Sequence, residues 1–157
     1  MATSTTATSP ESSPHTLTVS CHCNALRLSV PRLPEYLNLC QCSICRNYGA
    51  SWAYYDTHEI TVLSPTPAAS QDQRSAGLDA EGTRKYVWGD KNLAFTFCET
   101  CGCIVYWWPL DGSDGVGVNM NCVEDVEALR FVERRVTYDV AKVVLEGVYN
   151  ENGPLRS

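Results

Sequence analysis

The sequence predicts a mostly-β fold pinned by metal knuckles, with one or two short helices. Three observations support this. Apolar and β-branched residues come in short runs bounded by Gly, Pro, Asn, Asp or Ser, the mark of strands and turns. Helical periodicity is scarce, and "VEDVEALRF" (123–131) is its best instance. Eight of the nine cysteines fall into three tight clusters, "CHC", "CQCSIC" and "CETCGC". At 157 residues the chain is one domain by size, long enough to bury a core.

The elements follow in order. "MATSTTATSPESSPHT" has no basic start and no apolar stretch, which argues against a secretory signal. Its Ser/Thr-rich composition predicts a disordered tail over 1–15. The folded domain is expected over 16–150. "LTVS" and "ALRLSV" are strands flanking "CHC", and "YLNL" (36–39) is a strand running into "CQCSIC". "CSICRNYG" predicts one helical turn closed by Gly49 in a left-handed cap. "SWAYY" and "EITVLS" are strands. Residues 64–83, rich in Pro, Ser, Gly and Ala, predict a long surface loop. "RKYVW", "LAFTF", "IVYWWPL" and "VGVNM" are further strands, "VEDVEALRF" a short helix, and 151–157 a frayed tail.

Charge and hydropathy exclude several functions. The net charge is −6, which disfavours nucleic acid as a partner, since phosphate binding needs a clustered basic surface. No apolar run reaches the roughly 18 residues needed to cross a bilayer, so no membrane partner is expected. Nine cysteines without a secretion signal point to a cytoplasmic chain whose thiols bind metal, and the odd total leaves one thiol outside any disulfide scheme.

Cysteine spacing divides the ligands. In "CETCG" two cysteines flank a tight turn, and Gly102 permits the positive φ that follows. In a strand, Cys21 and Cys23 face the same side, so "CHC" is the natural partner of that knuckle. Cys21, Cys23, Cys98 and Cys101 then make a closed four-thiolate zinc site joining distant parts of the chain. Cys42 and Cys45 have knuckle spacing, and Cys40 can join them. Three protein ligands with one position open is the arrangement of catalytic zinc sites. That position is either open or filled by Cys103, Cys122 or a histidine. Cys103 and Cys122 otherwise read as core residues, and His22 as a spacer. Trp52, Tyr54, Trp107 and Trp108 read as core or pocket wall. Arg46 suits a substrate carboxylate, or pairs with Asp56.

Together, "VSCHCNALRLSV", "CQCSICRNYGA" and "FCETCGC" resemble the glutathione-dependent formaldehyde-activating enzyme family, which includes centromere protein V-like proteins. The resemblance implies a β-tent of coiled antiparallel sheets and two zinc ions per chain. It implies that Cys21, Cys23, Cys98 and Cys101 hold a structural ion and that Cys40, Cys42 and Cys45 hold the ion of the reactive site. It also implies a small-molecule substrate, glutathione or a carbonyl metabolite. Arg46 and Trp52, near the second cluster in sequence, are the expected substrate-binding residues. The chain departs from the family pattern at Asn24, where Gly is usual, at Cys103, where Thr or Ser is usual, and at Phe95 and Thr96, where basic residues are frequent. Asn also visits left-handed conformations, so the first exchange is tolerable.

The expected function is a zinc-dependent carbon–sulfur lyase that adds a thiol to an aldehyde or reverses that step. One alternative is a lyase or dehydratase acting on a larger aromatic or polyketide-like metabolite. Another is a non-catalytic, zinc-stabilised binding module with both ions saturated.

Overall fold

Short alternating strands need a second layer to bury their apolar faces, and the chain supplies two sheets. A computed structural model describes residues 16–64, 78–87 and 90–138, together with the backbone of 149–150 and 153–154. The smaller sheet has the order β1-β2-β5, from β1 (Leu17–Ser20), β2 (Arg27–Val30) and β5 (Thr61–Ser64), all antiparallel. The larger sheet has seven strands in the order β10-β3-β4-β9-β8-β7-β6. These are β3 (Tyr36–Cys40), β4 (Trp52–Tyr55), β6 (Thr83–Val87), β7 (Leu93–Cys98), β8 (Ile104–Pro109), β9 (Val116–Asn119) and β10 (Glu133–Thr137). Two further strands, β11 (Tyr149–Asn150) and β12 (Gly153–Pro154), pair with each other.

The main core lies between the sheets. Leu17, Val19, Leu28, Val30 and Val62 from the smaller sheet meet Leu37, Ala53, Tyr55, Val116 and Val118 from the larger. The other face of the larger sheet carries a second core. There the one α-helix among the described residues, α1 (Ser43–Tyr48), lays Ile44 and Cys45 against Trp52, Phe95 and Ile104. A register shift between Thr96 and Phe97 lets β8 serve both cores. Val105 and Tyr106 join the first, and Ile104 and Trp107 the second. A bulge sets two residues against one and turns the strand in this way.

The strands predicted from sequence are present with bounds shifted by a residue or two, and Gly49 ends α1 in the left-handed region (φ 60°, ψ 34°). Three expectations change. "VEDVEALRF" forms only a 3-10 turn over Val126–Leu129, capped by Asp125. Its apolar residues do not make a continuous stripe, and Phe131 is 91% exposed. Residues Glu133–Thr137, not foreseen as a strand, give β10, which runs parallel to β3, the one parallel pair in an otherwise antiparallel sheet. In the 64–83 segment, residues 65–77 lie outside the described part, but Leu78 and Ala80 are buried. The Tyr106 hydroxyl donates to the Leu78 carbonyl, so this end of the segment is fastened to the core. The tail expected over 1–15 also lies outside the described residues. Among the described residues no helix is long and apolar enough to cross a membrane.

Candidate metal centres

Two knuckles build the first centre. The "CHC" turn leaves β1. The Cys21 N–H donates to Leu26 O, the Asn24 N–H donates to Cys21 O, and Asn24 takes φ 60°. The substitution of Asn for the usual Gly is therefore accommodated in the left-handed region. The "CETCG" turn leaves β7 with the same logic. The Gly102 N–H donates to Cys98 O, the Cys98 N–H to Cys103 O, and Gly102 takes φ 73°.

These turns bring the sulfurs of Cys21, Cys23, Cys98 and Cys101 within 4.8 Å of one another. Cys21 and Cys23 are 3.6 Å apart, as are Cys23 and Cys98. Tetrahedral zinc with ~2.3 Å bonds sets its sulfurs ~3.8 Å apart, so the donor set and spacing suit zinc. The Leu26 backbone N–H also donates to Cys21 Sγ at 3.3 Å. Burial raises the Cys21 thiol to about 12, so without a cation this cluster resists ionising there. A divalent ion removes that penalty.

The second centre sits on the opposite face of the larger sheet. Cys40 ends β3, Cys42 occupies the N-cap of α1, and Cys45 lies in its first turn. Their sulfurs lie within 4.8 Å of one another, and among the described residues no fourth Cys, His, Asp or Glu completes the group. Cys40 and Cys42 are half-buried, and Cys45 is buried. The hydrogen bond from Cys45 pulls Cys40 down to about 5, while the same contact and burial push Cys45 up. A site of three sulfurs with an accessible side fits a zinc ion that keeps one position for an incoming ligand.

The surroundings fix this geometry. Trp52 is buried and donates its indole N–H to Cys45 Sγ at 3.1 Å. The Gln41 N–H donates to Thr137 O, so β10 braces the loop between Cys40 and Cys42. The Thr137 hydroxyl donates to Asn38 Oδ1, and the Asn38 amide donates to the Tyr54 hydroxyl. Arg46 lies exposed in the last turn of α1 and makes no ion pair among the described residues, including none with Asp56.

Cys103 and Cys122 belong to the neighbourhood of the first centre. Cys103 exchanges a hydrogen bond with Cys101, and Cys122 Sγ lies 3.6 Å from Ile104 O. Neither joins the three-sulfur group.

Asn119 is a residue that sequence reading passed over. It is 4% exposed, accepts from the Ser51 and Asn121 N–H groups, and donates to Ile104 O. It thereby ties the approach to β4, and so Trp52, to β8. Its only trace in the sequence is a polar residue closing the apolar run "VGV". A third group, Asp56, His58 and Asp114, is exposed. Asp114 there accepts from the Thr57 and Gly115 N–H groups and reads as a turn cap.

Residues 16–137 match the family described as glutathione-dependent formaldehyde-activating enzyme. The chain is also similar to a Rhodobacter sphaeroides protein of known crystal structure, with 25% identity and a TM-score of 0.57. That likeness covers 75% of this chain and 99% of the other. No curated protein gives a significant match. With a family match across most of its length, the chain belongs to the glutathione-dependent formaldehyde-activating enzyme family.

Proposed function

We propose that the chain is a zinc-dependent lyase that joins a thiol to an aldehyde or splits the adduct. The observation that carries this reading is the three-sulfur centre at Cys40, Cys42 and Cys45, half-open and without a fourth side-chain ligand among the described residues. In this reading Cys21, Cys23, Cys98 and Cys101 hold a structural zinc and the other three cysteines hold the reactive one. When bound there, zinc supplies Lewis acidity that favours the thiolate form of an added thiol and polarises a carbonyl.

The chain's own residues do the rest. Cys40, Cys42 and Cys45 fix the ion at the end of β3 and the start of α1. Trp52 holds Cys45 in place and closes the buried side. Tyr54 and Asn38 face the open side on neighbouring strands, where Tyr54 keeps a hydroxyl proton to orient a substrate oxygen. Arg46 offers a positive charge to a substrate carboxylate. In the addition, a C–S bond forms, the carbonyl π pair moves to oxygen, and the thiol proton ends on that oxygen as the hydroxyl of a hemithioacetal. Holding both reactants at one point supplies much of the acceleration.

The test is adduct formation from formaldehyde and glutathione, followed by carbon NMR on zinc-loaded protein. Cys42→Ala is expected to abolish catalysis while the fold survives. Unchanged turnover in a folded Cys42→Ala protein sinks the reading.

A further inference from the structure

Strand alternation places Tyr36, Asn38 and Cys40 on one face of β3. The cross-strand register puts Trp52 and Tyr54 of β4, Gly117 of β9, and Trp107 and Phe95 on that same face. The rings form a continuous row. Phe95 lies 6.3 Å from Trp52, Trp52 6.5 Å from Trp107, Trp107 6.0 Å from Tyr54, and Tyr54 6.3 Å from Tyr36, all tilted or edge-on. Next to its Phe95 end, the row touches the three-sulfur centre through the Trp52–Cys45 hydrogen bond.

The other end opens into a cleft of about 250 Å³ lined by Arg32, Pro34, Glu35, Tyr36, Tyr54 and Tyr55. Trp52 is buried, but Tyr54 is 41% exposed and Trp107 and Tyr36 are partly so. The row therefore presents ring surface to solvent between the cleft and the cysteines.

Charge along this face is already committed. Arg135 stacks on Tyr36 at 4.1 Å and pairs with Glu133 at 2.7 Å. Arg32 pairs with Glu59 beside the cleft, and Arg84 pairs with Glu99. Of these arginines, Arg46 alone makes no ion pair among the described residues. Such a wall offers stacking area and little for the two carboxylates of a tripeptide thiol, which are best held by free guanidinium groups. From Tyr36 to Cys40 the strand runs ~13 Å, further than one small aldehyde or a single ring extends.

We infer that this face binds a fused-ring aromatic carbonyl compound, stacked on one ring of the tilted Tyr54–Trp107 pair and meeting the other edge-on, its carbonyl directed at Cys40, Cys42 and Cys45. The inference rests on the lyase reading for its chemistry and names its substrate class. Tyr54 and Trp107 are the residues that set this preference.

Isothermal titration of zinc-loaded full-length protein tests it with acetonaphthone, a two-ring ketone, against acetophenone, its one-ring counterpart. Acetonaphthone is expected to bind saturably and about ten-fold more tightly than acetophenone, as an added stacking contact requires. Trp107→Leu and Tyr54→Leu should each weaken it by about ten-fold, and Leu63→Ser, on the other sheet, should not. Equal affinity for the two ketones, or unchanged affinity in both folded wall variants, overturns the inference. The formaldehyde–glutathione assay separates the two ideas. Turnover without acetonaphthone binding removes this inference and keeps the lyase reading, whereas wall-dependent binding with turnover insensitive to Cys42→Ala does the opposite.

Discussion

The indole N–H of Trp52 reaches Cys45 Sγ across 3.1 Å, and both residues are buried. An N–H donated to a ligating sulfur orients it and stabilises its anion. Trp52→Phe keeps most of the ring packing and deletes the donor. Loss of such a supporting bond lowers metal affinity by about ten-fold to a hundred-fold. Competition with a chromophoric zinc chelator should show one of two zinc equivalents released more easily. Identical release curves for the variant and the parent count against the role given to Trp52.

The two centres differ in what their loss does. Cys98→Ser breaks the four-sulfur cage that joins β7 to the turn after β1. Structural zinc is worth on the order of 10 kcal/mol, comparable to the whole stability of a domain. This variant should lose its cooperative melt or fail to accumulate in soluble form. Cys42→Ser should keep its melt within a few degrees and carry about one zinc fewer. Circular dichroism melts with zinc analysis decide this, and matching behaviour of the two variants would contradict the division of roles.

Gly117 is set by Trp107. A Cβ at this position would lie 2.1 Å from Trp107 Nε1, so the ring rests directly on the backbone of β9. Gly117→Ala must push the indole outward. Such overpacking costs about 1–3 kcal/mol. Denaturant unfolding should show that loss together with a shifted tryptophan emission. A variant as stable as the parent with unchanged emission would mean that the ring does not sit there.

Alkaline pH should unfold the protein partly through its buried phenols. Tyr55 is 3% exposed, donates to Arg32 O, and has its phenol raised to about 12, chiefly by burial. Tyr106, in the same core, is raised for the same first reason. A raised folded value means that the native state holds the proton more tightly. The contribution is therefore complete below pH ~10, where the unfolded phenol titrates, and is lost as pH climbs to about 12. The Tyr55 share is about 2–3 kcal/mol. Tyr55→Phe should flatten the fall in stability between pH ~10 and ~12 in urea titrations. An unaltered slope would exclude Tyr55 as a contributor.

Local chemistry made much of this protein readable in its letters. Cysteine spacing marked the sulfur clusters, because short turns hold neighbouring sulfurs together whatever the rest of the chain does. The left-handed turns at Asn24, Gly49 and Gly102 were legible for the same reason. Alternation marked most strands. Contacts between distant segments were another matter. The parallel pairing of Glu133–Thr137 with Tyr36–Cys40 joins residues about a hundred positions apart, and β10 is exposed throughout, so no apolar pattern announced it. The burial of Leu78 depends on a hydroxyl from Tyr106 that only the folded sheet brings near. The aromatic row was equally hidden, because its rings come from four strands and meet through register. Sequence alone marked the knuckles, since each pair or trio of sulfurs is set within one short turn, and the fold brought the two knuckles of the first centre together. Tertiary structure decided what faces the open metal site, since pairing across strands assembles that surface.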